Sequence, residues 1–467
     1  MKRPLLLTIY FVASCFDLCH AITTDSINRL GLPVLNITTI NSEEPTCDYV
    51  FAPEGAFGIS TTNNTKVPGR CIFTLLGDTI FDSSEYKKDQ SGMTLKIRGN
   101  TSAYYSPKKP FKLKLEKKND LFGRGDSCYY DKNWVLLPEG DALNTLFGNK
   151  VNELVGMPWT PAARYVNLIV NDDYRGIYLL TEQVKRNADC RLNVDKKTGY
   201  VIERDAYWWN EDPYFKTDLL GIEYTFKYPD EDDVTTDQIS YIKKWIEDFE
   251  KELQQDGPYE HYVDLSSWAS WLLAHEILGT YDSGGSNLYL TKNDSTSGSL
   301  LQMSTLWDFG SIMQRPTNWV RIHVENFFYF NRLLNSQNHA FRDAFIDRWN
   351  ELSPTIFQQL NDYFSDFSQS PTARAIDRSR PHEYDRWNNY DDALTQQNIS
   401  SITNWLNERE QWMKEAIEGL KTITVEQLTV VHTKRPQTAY NLLGQPVDFN
   451  SYSGVYIMNG KKYYNHQ

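Results

Sequence analysis

Between Asp264 and Gly310 the order of residue types leaves few folds open. Asp264 can cap a helix in which Trp268, Trp271, Leu272, His275 and Leu278 fall along one face before Gly279 stops it. A loop of small and polar residues follows, Tyr281-Asp282-Ser283-Gly284-Gly285-Ser286-Asn287. Two alternating runs, Leu288 to Thr291 and Leu300 to Thr305, then flank a polar turn and predict a hairpin, which runs out into Trp307-Asp308-Phe309-Gly310. A capped helix followed at once by antiparallel strands points to an α+β chain.

The rest of the sequence agrees with that class and sorts it into halves. Short β-branched and aromatic runs between about Leu32 and Ile80 suggest a small strand-rich lead-in over residues 22–90. Met93 to Ile97 and Phe111 to Leu115 alternate as a strand pair, which places Lys112 and Lys114 on one face and Phe111, Leu113 and Leu115 on the other. A helix is expected around Leu143 to Val155. It precedes a hairpin-like meander, Val166 to Val170 and Gly176 to Leu180, that ends at Glu182, and a strand over Tyr200 to Glu203. Thr235 and Gln238 make a capping-box pattern, and Ile239, Ile242, Trp245, Ile246, Phe249 and Leu253 recur at helical spacing. Helices are also expected over Phe327 to Arg348 and Ile402 to Leu420. The pattern returns to short strands in a tail over 421–467 that looks like the β sorting domain of exported bacterial proteins.

The N-terminus carries Lys2 and Arg3, an apolar run from Pro4 to Val12, and a small-residue junction at Cys19-His20-Ala21, which together read as a signal peptide over 1–21. A second parse takes Val12-Ala13-Ser14-Cys15 as a lipobox, with a lipid anchor on Cys15. Either parse places the mature protein outside the cytoplasm, in the periplasm, at the outer membrane surface or secreted. Cys47, Cys71, Cys128 and Cys190 would there form two bridges of open connectivity. A net charge of -13 argues against nucleic acid as a partner, because displacing its counterions requires a basic surface.

Asp282 and Asn287 stand five residues apart on a loop after a helix, and Asp308 follows across a hairpin. Protein kinases use that order. Phosphoryl transfer needs oxygen ligands that hold Mg²⁺ against phosphate oxygens and a carboxylate near the attacking hydroxyl. Asp308 and Asn287 suit the metal, and Asp282 suits the hydroxyl.

Motifs across roughly Leu95 to Met413 resemble the CotH (spore coat protein H) kinase family. They are Lys96-Ile97-Arg98-Gly99-Asn100-Thr101-Ser102, Lys108-Lys109-Pro110-Phe111-Lys112-Leu113-Lys114-Leu115, Asn133-Trp134-Val135-Leu136-Leu137, the N-x-x-Y-x-G-x-Y-x-L-x-E run from Asn171 to Glu182, and Gly199-Tyr200-Val201-Ile202-Glu203. The resemblance implies an atypical protein-kinase-like fold over residues 91–420, strand-rich first and mainly helical later, without a Gly-rich phosphate loop. It implies ATP with Mg²⁺ or Mn²⁺ as cofactors and a protein substrate with Ser, Thr or Tyr hydroxyls, including the chain itself. Basic residues must then steady the phosphates, with Arg98, Lys112 and Lys114 as candidates, Glu182 as a partner for one of them, and Arg342 as a further contact. Two positions depart from the family: Gly148-Asn149 stands where an Arg-Asn pair is usual, and Gly310 where a second Asp is usual.

Two rival readings share these residues. A pseudokinase scaffold would keep the fold without the catalysis, and a glycan-binding surface protein would use the aromatic residues Trp208, Trp209 and Trp319 for stacking. His275-Glu276 does not begin a zinc-protease helix, because Gly279 occupies the place of the second histidine.

Overall fold

The computed structural model describes residues 23–140, 142–187, 190–280, 285–314, 316–318, 328–387 and 395–421, together with the backbone of four short strands between 439 and 465. A short helix, α1 (Thr24–Asn28), leads into β1 (Val34–Thr39), β2 (Asp48–Phe51), β3 (Ile59–Thr62), β4 (Val67–Leu75), β5 (Asp78–Asp82) and β6 (Met93–Ile97). After α2 (Thr101–Tyr105) come β7 (Phe111–Asn119) and β8 (Asp131–Leu137), then α3 (Asn144–Leu154), β9 (Ala163–Val170) and β10 (Asp173–Glu182).

Eight of these strands form one sheet in the order β1-β9-β10-β8-β7-β6-β4-β5, and β1 also pairs with β4. That extra pairing closes seven of them into a barrel and leaves β5 as an appendage on β4. Alternation decides what lies inside. Leu35, Ile37, Phe73, Leu95, Leu113, Trp134, Leu136, Leu168, Tyr178 and Leu180 are fully or almost fully buried and form one apolar cluster. Each such side chain contributes on the order of 1.5–3 kcal/mol. The lead-in expected over 22–90 is therefore not a separate unit, since β1 and β4 belong to the same barrel as β6 to β10.

A second, antiparallel sheet takes its strands from further along the chain. It runs β12-β13-β11-β14-β15, with β11 (Tyr200–Arg204), β12 (Tyr214–Lys216), β13 (Glu223–Tyr228), β14 (Leu288–Lys292) and β15 (Leu301–Thr305). Between β13 and β14 lie α4 (Thr236–Gln254), whose capping box at Thr235 and Gln238 is formed as expected, and α5 (Leu265–Leu278). The Asp264 side chain caps α5, and Gly279 ends it with φ 60 in the left-handed region. α5 is not the one-faced helix its sequence suggested. Every residue from Trp268 to Leu278 is buried, because helices cover it on several sides while β15 covers another.

The remaining helices are α6 (Phe330–Asn335), α7 (Ala340–Leu352), α8 (Ile356–Ser368), α9 (Pro371–Trp387) and α10 (Thr395–Lys421). The single helix expected over Phe327 to Arg348 is thus broken, with Asn338 and Ser336 turning the chain between α6 and α7. The tail strands β16 (Ala439–Asn441), β17 (Pro446–Val447), β18 (Gly454–Met458) and β19 (Lys461–Asn465) pair in the order β17-β16-β18-β19. Among the described residues no helix is long and apolar enough to cross a membrane.

Among the described residues one disulfide is present, Cys128–Cys190, with a Cα–Cα separation of 5.5 Å. The second expected bridge is not formed. Cys71 is buried inside the barrel as a thiol, pushed up to about 12 by burial, and Cys47 is also free.

Candidate active site

The β14–β15 hairpin sets the centre of the site. Asn287 stands one residue before β14 and Asp308 three residues after β15, so the pairing of Tyr289 with Thr305 brings the two loops together. The Asn287 amide nitrogen lies 3.4 Å from Asp308 Oδ2. Both residues are left-handed, with φ 59 and 63. Asn and Asp tolerate that region better than most side chains, but it still costs energy that the surroundings must offset.

Those surroundings are explicit. Three successive residues at the end of β11 each hold one residue of the incoming loop. Glu203 Oε1 accepts from the Asn287 backbone N–H at 3.2 Å, Arg204 Nη1 donates to the Gly285 carbonyl at 2.7 Å, and Asp205 Oδ1 accepts from the Ser286 hydroxyl at 3.4 Å. On the other side α3 fixes the Asp308 loop. Asn152 Oδ1 accepts from the Leu306 N–H at 2.8 Å, and Asn144 Nδ2 donates to the Phe309 carbonyl at 3.1 Å. The Phe309 ring lies against Gly148, where a Cβ would come within 2.1 Å of it. Any side chain at 148 would therefore require the Phe309 ring to move. Asp308 itself is exposed, held between two anchored neighbours.

The electrostatics around this pair are strongly shaped by burial. Burial pushes the Glu203 carboxyl up to about 8, although Lys227 lies 3.2 Å away and opposes the shift. Asp205 is raised for the same reason, and Lys227 also pairs with Glu211 at 2.8 Å. Glu139, in the loop between β8 and α3, is pushed up to about 7 by burial, with Thr145 donating to one of its oxygens and the other buried without a partner.

The barrel supplies the opposite charge. On its outer face Lys96 of β6 stands directly across from Lys112 of β7, and Thr94 across from Lys114. Arg98 continues the Lys96 face just past the end of β6. The groups of the second sheet and its loops that act on its charge are Tyr289, Asp308 and Glu203. Burial is the main cause that pushes the Lys112 ammonium down to about 8, with Lys96, Arg98, Lys185 and Lys114 adding to it. Arg98 and Lys112 are half-buried, whereas Lys114 is exposed.

The residues expected from sequence are thus brought together in part. Asn287 and Asp308 meet, Arg98 is acted on by Asp308, and Lys112 and Lys114 share the strand face that Arg98 continues. Asp282 lies outside the described residues. Glu182 does not partner the basic row. It shares the strand face of Trp134 and Leu113, opposite to Lys112, and its carboxylate pairs with Arg124 at 2.7 Å and Arg191 at 3.4 Å. Arg342 sits on α7 with 7% of its surface exposed, and among the described residues none of its bonds reaches Asp308, Asn287 or the basic row. His275 is a buried neutral imidazole within hydrogen-bond distance of Thr280 Oγ1 at 3.0 Å, and Glu276 pairs with Arg409, so neither belongs to a metal helix.

Sequence reasoning missed the β11 clamp, although Glu203 stood within a quoted motif. An acid at the end of an apolar strand gives no local signal of what it will hold. It also missed Glu139, Asn144 and Asn152, which act through tertiary contacts alone.

The donor set fits a divalent cation carried with phosphates. Among the described residues no three His, Cys, Asp or Glu side chains stand together as a metal cage. Mg²⁺ does not require one, because it commonly takes one or two protein carboxylates and completes its shell with water and substrate phosphate. Asp308 and Asn287 beside the half-buried Arg98 match that pattern. A search of curated proteins finds no match. Residues 95–413, more than half of the chain, match the family model described as CotH kinase protein, and the chain belongs to that family.

Proposed function

We propose that the protein is an extracytoplasmic, ATP- and Mg²⁺-dependent phosphotransferase acting on protein hydroxyls, its own included. The observation that carries this reading is the Asn287–Asp308 pair with Arg98 acting on Asp308 from the barrel, where Lys112 stands on the strand face that Arg98 continues. A bound metal–nucleotide would supply the phosphoryl group and the positive charge that screens it. Asp308 and Asn287 offer oxygens to the cation, and Arg98 and Lys112 offer fixed positive charge to the phosphates, with Lys114 at the rim. Asp282, five residues before Asn287, is the group assigned to accept the proton of the attacking hydroxyl. The buried Glu203 and Asp205, with the half-buried Arg204, hold the Gly285 to Asn287 end of the loop, so Asn287 needs little rearrangement. The kinase family, the single disulfide and the signal-like N-terminus support the extracytoplasmic part of the reading.

The test incubates purified protein with labelled ATP and Mg²⁺ or Mn²⁺, beside folded Asp282→Ala and Asp308→Ala variants. Labelling of the parent alone is expected, and equal labelling of all three sinks the assignment. The packing of Phe309 on Gly148 favours one second reading, a catalytically weak member of the family. Metal-dependent nucleotide binding with no transfer to any protein would select it.

A further inference from the structure

Lys96 stands directly opposite Lys112 in the β6–β7 ladder, and both ammonium groups leave the outer face of the barrel on the same side. Like charges placed directly across a strand pair destabilise it unless something neutralises them. The chain supplies little that does. Among the described residues neither lysine has an ion pair or a side-chain hydrogen bond. The charges that act on Lys96 are Lys66, Arg98 and the exposed Glu231, and those on Lys112 are all positive.

The chain carries a net charge of -13, and several of its other cations have an acid at hand. Lys185 has Asp131 at 3.0 Å, Lys227 has three acids, Arg70 has Asp82 and Glu85, and Lys108 has Glu383. Two adjacent cations, Lys96 and Lys112, are left without such a neutraliser on one half-buried face that Arg98 continues.

Resting on the phosphate-transfer reading of this site, we propose that Lys96 is a further phosphate-binding residue, and that Lys96 and Lys112 together clamp a polyphosphate chain of two or more phosphates. A single phosphate could meet the cross-strand pair or Arg98, whereas an extended anion engages all three at once. The site therefore selects nucleoside di- and triphosphates over monophosphates. Both lysines have their proton affinity lowered, mainly by burial, and an anion at this face would reverse that shift.

The experiment measures binding and thermal stability of the full chain with inorganic tripolyphosphate, ADP and AMP, with and without Mg²⁺. It compares the parent with Lys96→Met, Lys96→Arg and, as a charge control on the exposed turn before β6, Lys88→Met. The parent is expected to bind tripolyphosphate and ADP at least tenfold more tightly than AMP. Lys96→Met should lose at least tenfold in tripolyphosphate affinity while its ligand-free form melts no lower than the parent, because a repulsion has been removed. Lys96→Arg should restore binding, and Lys88→Met should leave it unchanged. Unaltered tripolyphosphate affinity in Lys96→Met, or a ligand-free form that melts clearly below the parent, overturns the role of Lys96 alone. Failure of the parent to bind tripolyphosphate or ATP under any condition overturns the phosphate reading of the site and this inference with it.

Discussion

Removing the Glu383 carboxylate should unfasten the last helices from the barrel. Glu383 lies on α9 with its side chain 5% exposed, and its Oε1 receives the Lys108 ammonium at 2.5 Å while Oε2 accepts the Ile177 backbone N–H at 2.7 Å. Lys108, 4% exposed, also donates to the Ile177 carbonyl at 2.6 Å. Deleting one member of a buried pair leaves the other charge without compensation, which costs about 3–5 kcal/mol. Glu383→Ala should therefore lose about that much in urea unfolding, a large part of the ~5–15 kcal/mol that domains possess. Gly176 supplies the internal check. Its φ is +89, and a Cβ there would stand 1.9 Å from Glu383 Oε2. Gly176→Ala should be severe in the parent and markedly milder in the Glu383→Ala background, where the carboxylate clash is gone and a backbone term of about 1 kcal/mol or more remains beside a close approach to Trp387 Nε1. Strictly additive losses, or a loss below about 1 kcal/mol for Glu383→Ala, would refute the reasoning. The glycine of the Asn171–Glu182 motif is on this account a seat for a carboxylate from more than 200 residues away.

Three other outcomes can be checked directly. His275 is buried and held down to about 3, well below its ordinary 6.5, so its contribution is fully present above about 6.5 and is lost as pH falls toward 3; His275→Gln should flatten the stability–pH curve across that window. Replacing both Cys128 and Cys190 by Ser should lower unfolding stability by about 2–5 kcal/mol, and a reducing agent should then have no further effect. Gly148→Ala should destabilise the protein by about 1–3 kcal/mol through overlap with the Phe309 ring, and Phe309→Ala in the same chain should recover much of the loss; a neutral Gly148→Ala in thermal melts would show that Phe309 does not occupy that space.

How much of the structure was legible in the sequence depends on how far each signal travels along the chain. The capping box at Thr235, the cap at Asp264 and the stop at Gly279 depend on neighbours within a few residues, and all three are formed. The hairpin that joins Asn287 to Asp308 is likewise local, and its ends met as expected. Periodicity placed β6 and β7 and so put Lys112 on its face, but it could not show that Lys96 stands opposite, because register belongs to the pair. Glu182 was misassigned for the same reason. One residue decides which face of β10 it joins, and that face leads to Arg124 and Arg191. The burial of α5 on every side was also beyond a one-helix reading, since it depends on α7 and α10 arriving from later in the chain. Asp282 remains a reading of the sequence.

The closing of the barrel also separates two kinds of boundary. The family match begins at residue 95, in the middle of β6, yet β1 and β4 are the staves that join β9 to β6. A polypeptide started at the family's edge would expose two long unpaired strand borders and the apolar lining between them, the kind of surface through which chains stick to one another. Ancestry as traced by sequence thus begins later than the object that can fold. Residues 34–75 owe their place to topology, and their loss would be felt as insolubility before it was felt as lost activity.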